Sequence, residues 1–167
     1  VRRASVPLLA ALFVAALASR PQLVAVGPLL PEIQHDLDVP HAVVGLLVSL
    51  PILCMGLFAP PGALLSDRLG PRAAMTICLA GIACFGLARA VSPGAAAVLG
   101  LTFLMSMGLG ASQAVVPVAV KEDFPDRPGF PMGVYALGVN LGVALGIAIA
   151  VPLADWGGSW RWTLGVI

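Results

Sequence analysis

The 167 residues carry a formal net charge of +1; 59% are apolar, only 10% are charged, and mean hydropathy is +1.01. Soluble domains hold about a quarter charged residues, so a water-soluble globular fold is excluded, and the absence of a basic tract gives no reason to expect a nucleic-acid partner. Five apolar runs approach or exceed the roughly 20 residues a helix needs to cross a bilayer. They lie near 7–30, 42–65, 73–91, 95–119 and 131–153, and a sixth opens at Trp160.

The first run follows Arg2 and Arg3, and Ala16-Leu17-Ala18 has the form of a signal-peptide cleavage site. Apolar residues resume directly after Gln22, which favours a spanning helix over a cleaved leader. Inside this run sits Arg20, followed by Pro21. A cation at that depth costs several kcal/mol, so such groups face a bundle interior or a water-filled cavity, where they hold an anion or the negative end of a dipole. No other ionisable side chain is expected deep in a run. The connection after the first run is acidic, with Glu32, Asp36 and Asp38. Its two histidines, His35 and His41, lack the spacing of a metal site or a catalytic base and are read as solvated.

In the second run Gly45 and Ser49, and in the fourth Gly108 and Ser112, form pairs of small residues four apart that let helices approach closely. Pro51 and Pro117 predict kinks, because each removes a helical hydrogen bond; Pro117 frees the carbonyl of Gln113, itself polar at membrane depth. Arg89, at the end of the third run, is expected to snorkel to the interface as an anchor. Cys54, Cys78 and Cys84 are read as small apolar residues, without disulfide or ligand spacing. In the fifth run Gly138, Gly142 and Gly146 recur every four residues as a packing stripe. Asn140 lies two residues from Gly138 and from Gly142, and at about 100° per residue it points nearly opposite the stripe. Tyr135 is a further amphipathic candidate. Trp156, Trp160 and Trp162 cluster where an interfacial belt would lie.

Loop charges orient the chain. With the N-terminus in the cytoplasm, Arg2, Arg3, Arg68, Arg72, Lys121 and Arg127 are inside and Arg89 and Arg161 outside, the direction of the positive-inside rule. The expectation is a multi-pass protein of the cell membrane with a cytoplasmic N-terminus.

Between the second and third runs stands Gly62-Ala63-Leu64-Leu65-Ser66-Asp67-Arg68-Leu69-Gly70-Pro71-Arg72. Asp67 is placed to cap a helix or to pair across a gate, and Gly70 permits a sharp turn. The segment resembles the signature loop of the major facilitator superfamily, although Ala63 stands where that family usually has its leading glycine. Arg20-Pro21, Gly27-Pro28-Leu29-Leu30-Pro31, Gly45-Leu46-Leu47-Val48-Ser49-Leu50-Pro51, Lys121-Glu122-Asp123-Phe124-Pro125 and the Trp160-Arg161-Trp162 stretch are similar to its cyanate permease and nitroimidazole exporter-like branch.

The resemblance implies an all-α membrane protein: the N-terminal six-helix half of a twelve-helix fold, with the sixth helix truncated and residues 1–167 forming an incomplete bundle. It implies secondary transport of a small anionic or dipolar solute, cyanate-like or a small organic anion, by alternating access against a C-terminal six-helix half. First and fourth helices line the cavity in this family. That makes Arg20, Gln22 and Gln113 candidate solute-binding residues beside Asn140 and Tyr135, with Asp67, Arg68, Gly70 and Arg72 as a gating motif. No catalytic residue, cofactor or metal is implied. The alternative is a truncated, non-transporting membrane fragment or an assembly partner.

Overall fold

The computed structural model describes residues 5–167, with side chains from residue 7 onward; the signal-peptide alternative and the inside charges Arg2 and Arg3 rest partly or wholly on residues outside that range. The described residues form nine helices and no strand. In chain order these are α1 (Ser5–Ser19), α2 (Pro21–Val24), α3 (Val26–Leu37), α4 (His41–Leu57), α5 (Ala59–Leu69), α6 (Pro71–Ala90), α7 (Ala95–Asp123), α8 (Gly129–Gly157) and α9 (Trp160–Val166). In hydrocarbon every backbone N–H and C=O must be satisfied within its own segment, and helices do this for long apolar runs.

Turn chemistry sets the helix ends. Gly70, at φ 82°, closes α5, and Pro71 opens α6, where a missing N–H costs nothing. Gly158, at φ 66°, ends α8, and the hydroxyl of Ser159 then accepts the Arg161 backbone N–H at 3.2 Å to cap α9.

Helices α1 to α3 make one apolar stretch, Pro7–Leu37, of 31 residues. At 1.5 Å per residue that is about 46 Å, against roughly 30 Å of hydrocarbon. The surplus carries Glu32, His35 and Asp36 beyond the apolar core. The stretch is broken at Arg20 and again at Ala25. The second span is also broken. A 48° bend lies between α4 and α5 at Phe58, while Pro51, where a kink is expected, stays inside α4. Pro60 and Pro61 explain the site, since two consecutive prolines withdraw two helical donors and the chain restarts with proline in a first turn. Pro117 likewise stays inside α7.

Helix α7 is central, packing against α4, α5 and α6, while α1 packs along α8 and α9 lies on α6 and α8. The α1–α8 contact is close because of the glycine stripe. A methyl group added at Gly138 would lie 2.8 Å from the Phe13 carbonyl oxygen, and one at Gly142 would lie 2.7 Å from that of Leu17. At Gly146 it would lie 2.8 Å from Pro21 Cα. Around the bundle, large side chains such as Ile52, Leu53, Leu87 and Leu137 are exposed, as lipid contact requires. Trp156 and Trp162 are exposed at one end.

Candidate functional site

Proline at position 21 supplies no N–H, and here the helix breaks at Arg20 just before it. Ser19 instead donates its hydroxyl to the Ala16 carbonyl at 3.1 Å, and the Leu23 and Val24 N–H groups both turn back to the Arg20 carbonyl, at 3.1 and 3.2 Å. Arg20 stands in this break and is only 9% exposed. Its Nε has no hydrogen-bond partner and no carboxylate pairs with it among the described residues. Its Cβ rests against Gly142 of α8, where an added methyl would come within 3.2 Å.

Gln22 is buried in α2 and faces α6. Arg89 Nη2 donates to the Gln22 backbone carbonyl at 3.1 Å and approaches its side-chain oxygen at 3.4 Å. Gly86, three residues before Arg89, leaves the space that the Gln22 side chain fills; any Cβ there would overlap its amide. This corrects the reading of Arg89 as a snorkelling anchor: it is 1% exposed, more deeply buried than Arg20. Snorkelling needs an open path to water, and here Gln22 of α2 and the packed α9 lie against the end of α6. Arg20 is therefore not alone as a buried cation.

The remaining candidates are dispersed. Gln113 is half-buried on α7. Asn140 is exposed on α8 and donates to the carbonyl of Ala136 at 2.8 Å, one turn back in its own helix. Tyr135 packs with Leu12, Val116 and Val120. No hydrogen bond among the described residues joins these three to Arg20 or Gln22.

In the loop motif, Asp67 and Arg68 are exposed in the last turn of α5. Asp67 caps no helix: Gly70 is the N-cap of α6, without a side-chain bond. Among the described residues Asp67 makes no ion pair. Arg72 donates to Asp123 at 2.9 Å and so ties the start of α6 to the end of α7.

At the opposite end Asp36 accepts from Arg161 at 3.0 Å and from the Trp160 indole at 3.1 Å. The Arg161 guanidinium lies 4.6 Å from the Trp160 ring centroid and also donates to the Ser92 carbonyl. Loop charge alone had shown these residues as separate interfacial groups.

This arrangement of broken apolar spans, a glycine-mediated α1–α8 contact and a charged turn between α5 and α6 has a counterpart in known sequences. Residues 8–167 match the pattern of the Major Facilitator Superfamily. The chain belongs to that superfamily. Proteins similar to it include the cyanate transport protein CynX of Escherichia coli (strain K12), 35% identical over 117 residues, covering 70% of this chain and 30% of the relative. The 2-nitroimidazole transporter of the same organism is 30% identical over 160 residues, covering 96% of this chain and 40% of the relative. The uncharacterized transporter YycB of Bacillus subtilis (strain 168) is 28% identical over 143 residues, covering 85% of this chain and 35% of the relative. The matched region thus spans 30 to 40% of the length of these curated relatives. As a major facilitator chain with several apolar helices, the protein is a multi-pass membrane protein.

Proposed function

We propose that this chain forms one helical half of a secondary transporter for a small anionic or strongly dipolar solute, with Arg20 as the principal solute-binding group. Superfamily membership supports transport in general, and the similarity to a protein named for cyanate transport supports a small anion. The observation that carries the reading is Arg20, nine-tenths buried at a helix break with no carboxylate beside it among the described residues. An unpaired cation at membrane depth costs several kcal/mol, and a bound anion offsets that cost while gaining charge-assisted hydrogen bonds to the guanidinium fork.

In this reading, alternating access rocks the bundle against a second six-helix half, and the Asp67–Arg72 turn stabilises closure at one end. Gln113 and Asn140 are secondary contacts from α7 and α8. Gln22 and Tyr135 act less directly, since each already has a protein partner.

The test is anion binding and thermal stability of the full-length protein with cyanate and 2-nitroimidazole as probes. Arg20→Ala is expected to fold and to lose anion-dependent stabilisation. Arg20→Lys should recover little of it, because an ammonium is a point charge without the planar fork. Full anion binding by a well-folded Arg20→Ala protein removes Arg20 from the site.

A further inference from the structure

Arg89 combines burial, charge and a single partner residue in a way that stability does not explain. It sits in the last turn of α6, 1% exposed, and no carboxylate pairs with it among the described residues. Enclosing a guanidinium without a counter-charge carries a desolvation penalty that no ion pair among the described residues repays. What Arg89 does hold is Gln22, by the backbone carbonyl at 3.1 Å and the side-chain oxygen at 3.4 Å. Gln22 belongs to α2, four residues isolated between the breaks at Arg20 and Ala25. At such breaks the backbone dihedrals are not locked by a continuous ladder of helical bonds. Only the dihedrals of residues 20 to 22 separate the Gln22 carbonyl from Arg20 Cα, so pinning that carbonyl also sets the direction of the Arg20 side chain. The surrounding sequence is shaped to the same end. Gly86 on α6 admits the Gln22 side chain, while Gly142 and Gly146 on α8 admit Leu17, Arg20 and Pro21.

We propose that Arg89 is a positioning residue: through Gln22 it fixes the broken segment of the first span so that the Arg20 guanidinium is held ready for the solute. This rests on the anionic-solute reading above.

The experiment pairs a solute-free readout with a binding readout in the full-length protein. Amide hydrogen exchange is followed in peptides covering residues 20–26 and, as a control, α7, for wild type, Arg89→Met, Arg89→Lys and Gln22→Ala. Cyanate affinity and melting temperature are measured on the same samples. Arg89→Met removes the desolvation penalty of the charge but leaves the Gln22 carbonyl without its donor, so the melting temperature is expected to move little. The same variant should raise exchange at residues 20–26 about tenfold or more, the equivalent of losing one charge-assisted hydrogen bond, and weaken cyanate binding by a similar factor. Arg89→Lys should fall between, since it keeps one charged donor but not the fork. Wild-type exchange at residues 20–26 in a folded Arg89→Met protein overturns the proposal, as does wild-type cyanate affinity there. Faster exchange spread equally into α7 with a lowered melting temperature would instead make Arg89 a general structural group, and also overturns it. Should Arg89→Met not fold, Gln22→Ala decides: a local rise in exchange with weakened cyanate binding supports the clamp, and no change refutes it. If wild type does not bind cyanate, the anionic-solute reading fails on that probe, while the exchange arm still decides whether Arg89 fixes the break.

Discussion

At Gly142 the α8 backbone comes so near the first span that a single methyl group has nowhere to go. It would sit 2.7 Å from the Leu17 carbonyl oxygen and 3.2 Å from Arg20 Cβ, and the first of these neighbours is backbone, which cannot rotate aside. Gly142→Val is therefore expected to lower stability by about 1–3 kcal/mol, the usual cost of overpacking, and to shift Arg20 in the process. Gly133, in the same helix, has nothing within 4 Å of its added methyl. Gly133→Ala should be neutral or stabilising by up to ~1 kcal/mol, through helix propensity alone. Thermal unfolding in detergent checks both. Equal melting temperatures for the two variants would mean that the α1–α8 contact is looser than the distances show.

Among the elements, the α5–α6 turn carries its charges on the outside. Asp67 is exposed and unpaired among the described residues, and the Arg72–Asp123 pair joins a side chain that is 76% exposed to one that is 20% exposed. An ion pair of that kind contributes at most ~1 kcal/mol, and truncating an exposed Asp without a partner typically moves stability by no more than about 0.5 kcal/mol. If the turn gates as proposed, loss of gating should separate from loss of fold stability. Asp67→Ala in the full-length protein is expected to reduce uptake several-fold while membrane abundance and melting temperature stay near wild type. Unchanged uptake at equal abundance would make Asp67 an ordinary solvated turn residue.

For the whole molecule, two polar ties sort the helix ends. Arg72 and Asp123 bring the start of α6 together with the end of α7, and Asp36, Arg161 and Ser92 join α3, α9 and the turn after α6. The two groups of ends lie at opposite ends of α6. We propose that the end bearing Arg68, Arg72, Lys121 and Arg127 faces the cytoplasm, the direction of the positive-inside rule. In a background lacking Cys54, Cys78 and Cys84, Asp126→Cys should react with an impermeant maleimide only after permeabilisation, whereas His35→Cys should react in intact cells. Both positions are exposed, so access is not limited by packing. The reverse labelling pattern inverts the topology.

The sequence by itself determined that this is a helical membrane chain, because hydropathy and span length act locally: a run of apolar residues must satisfy its own backbone whatever its neighbours do. It also marked the charged turn around Asp67 and singled out Arg20, since a lone cation in an apolar run is visible without any partner. Fold contacts between distant segments were less legible. The bend at Phe58, just before Pro60 and Pro61, was not read from the sequence, which pointed to Pro51; α4 runs through Pro51 and the bend falls between α4 and α5. Arg89 was misread because position along a span does not tell whether a side chain reaches water. That depended on α2 and α9 covering the end of α6, a contact across 67 residues in the case of Gln22. Asp36 likewise meets Trp160 and Arg161 across more than a hundred residues. Burial of a charge is a property of what folds over it, so the tertiary structure alone decided which arginines lie at the surface and which are enclosed.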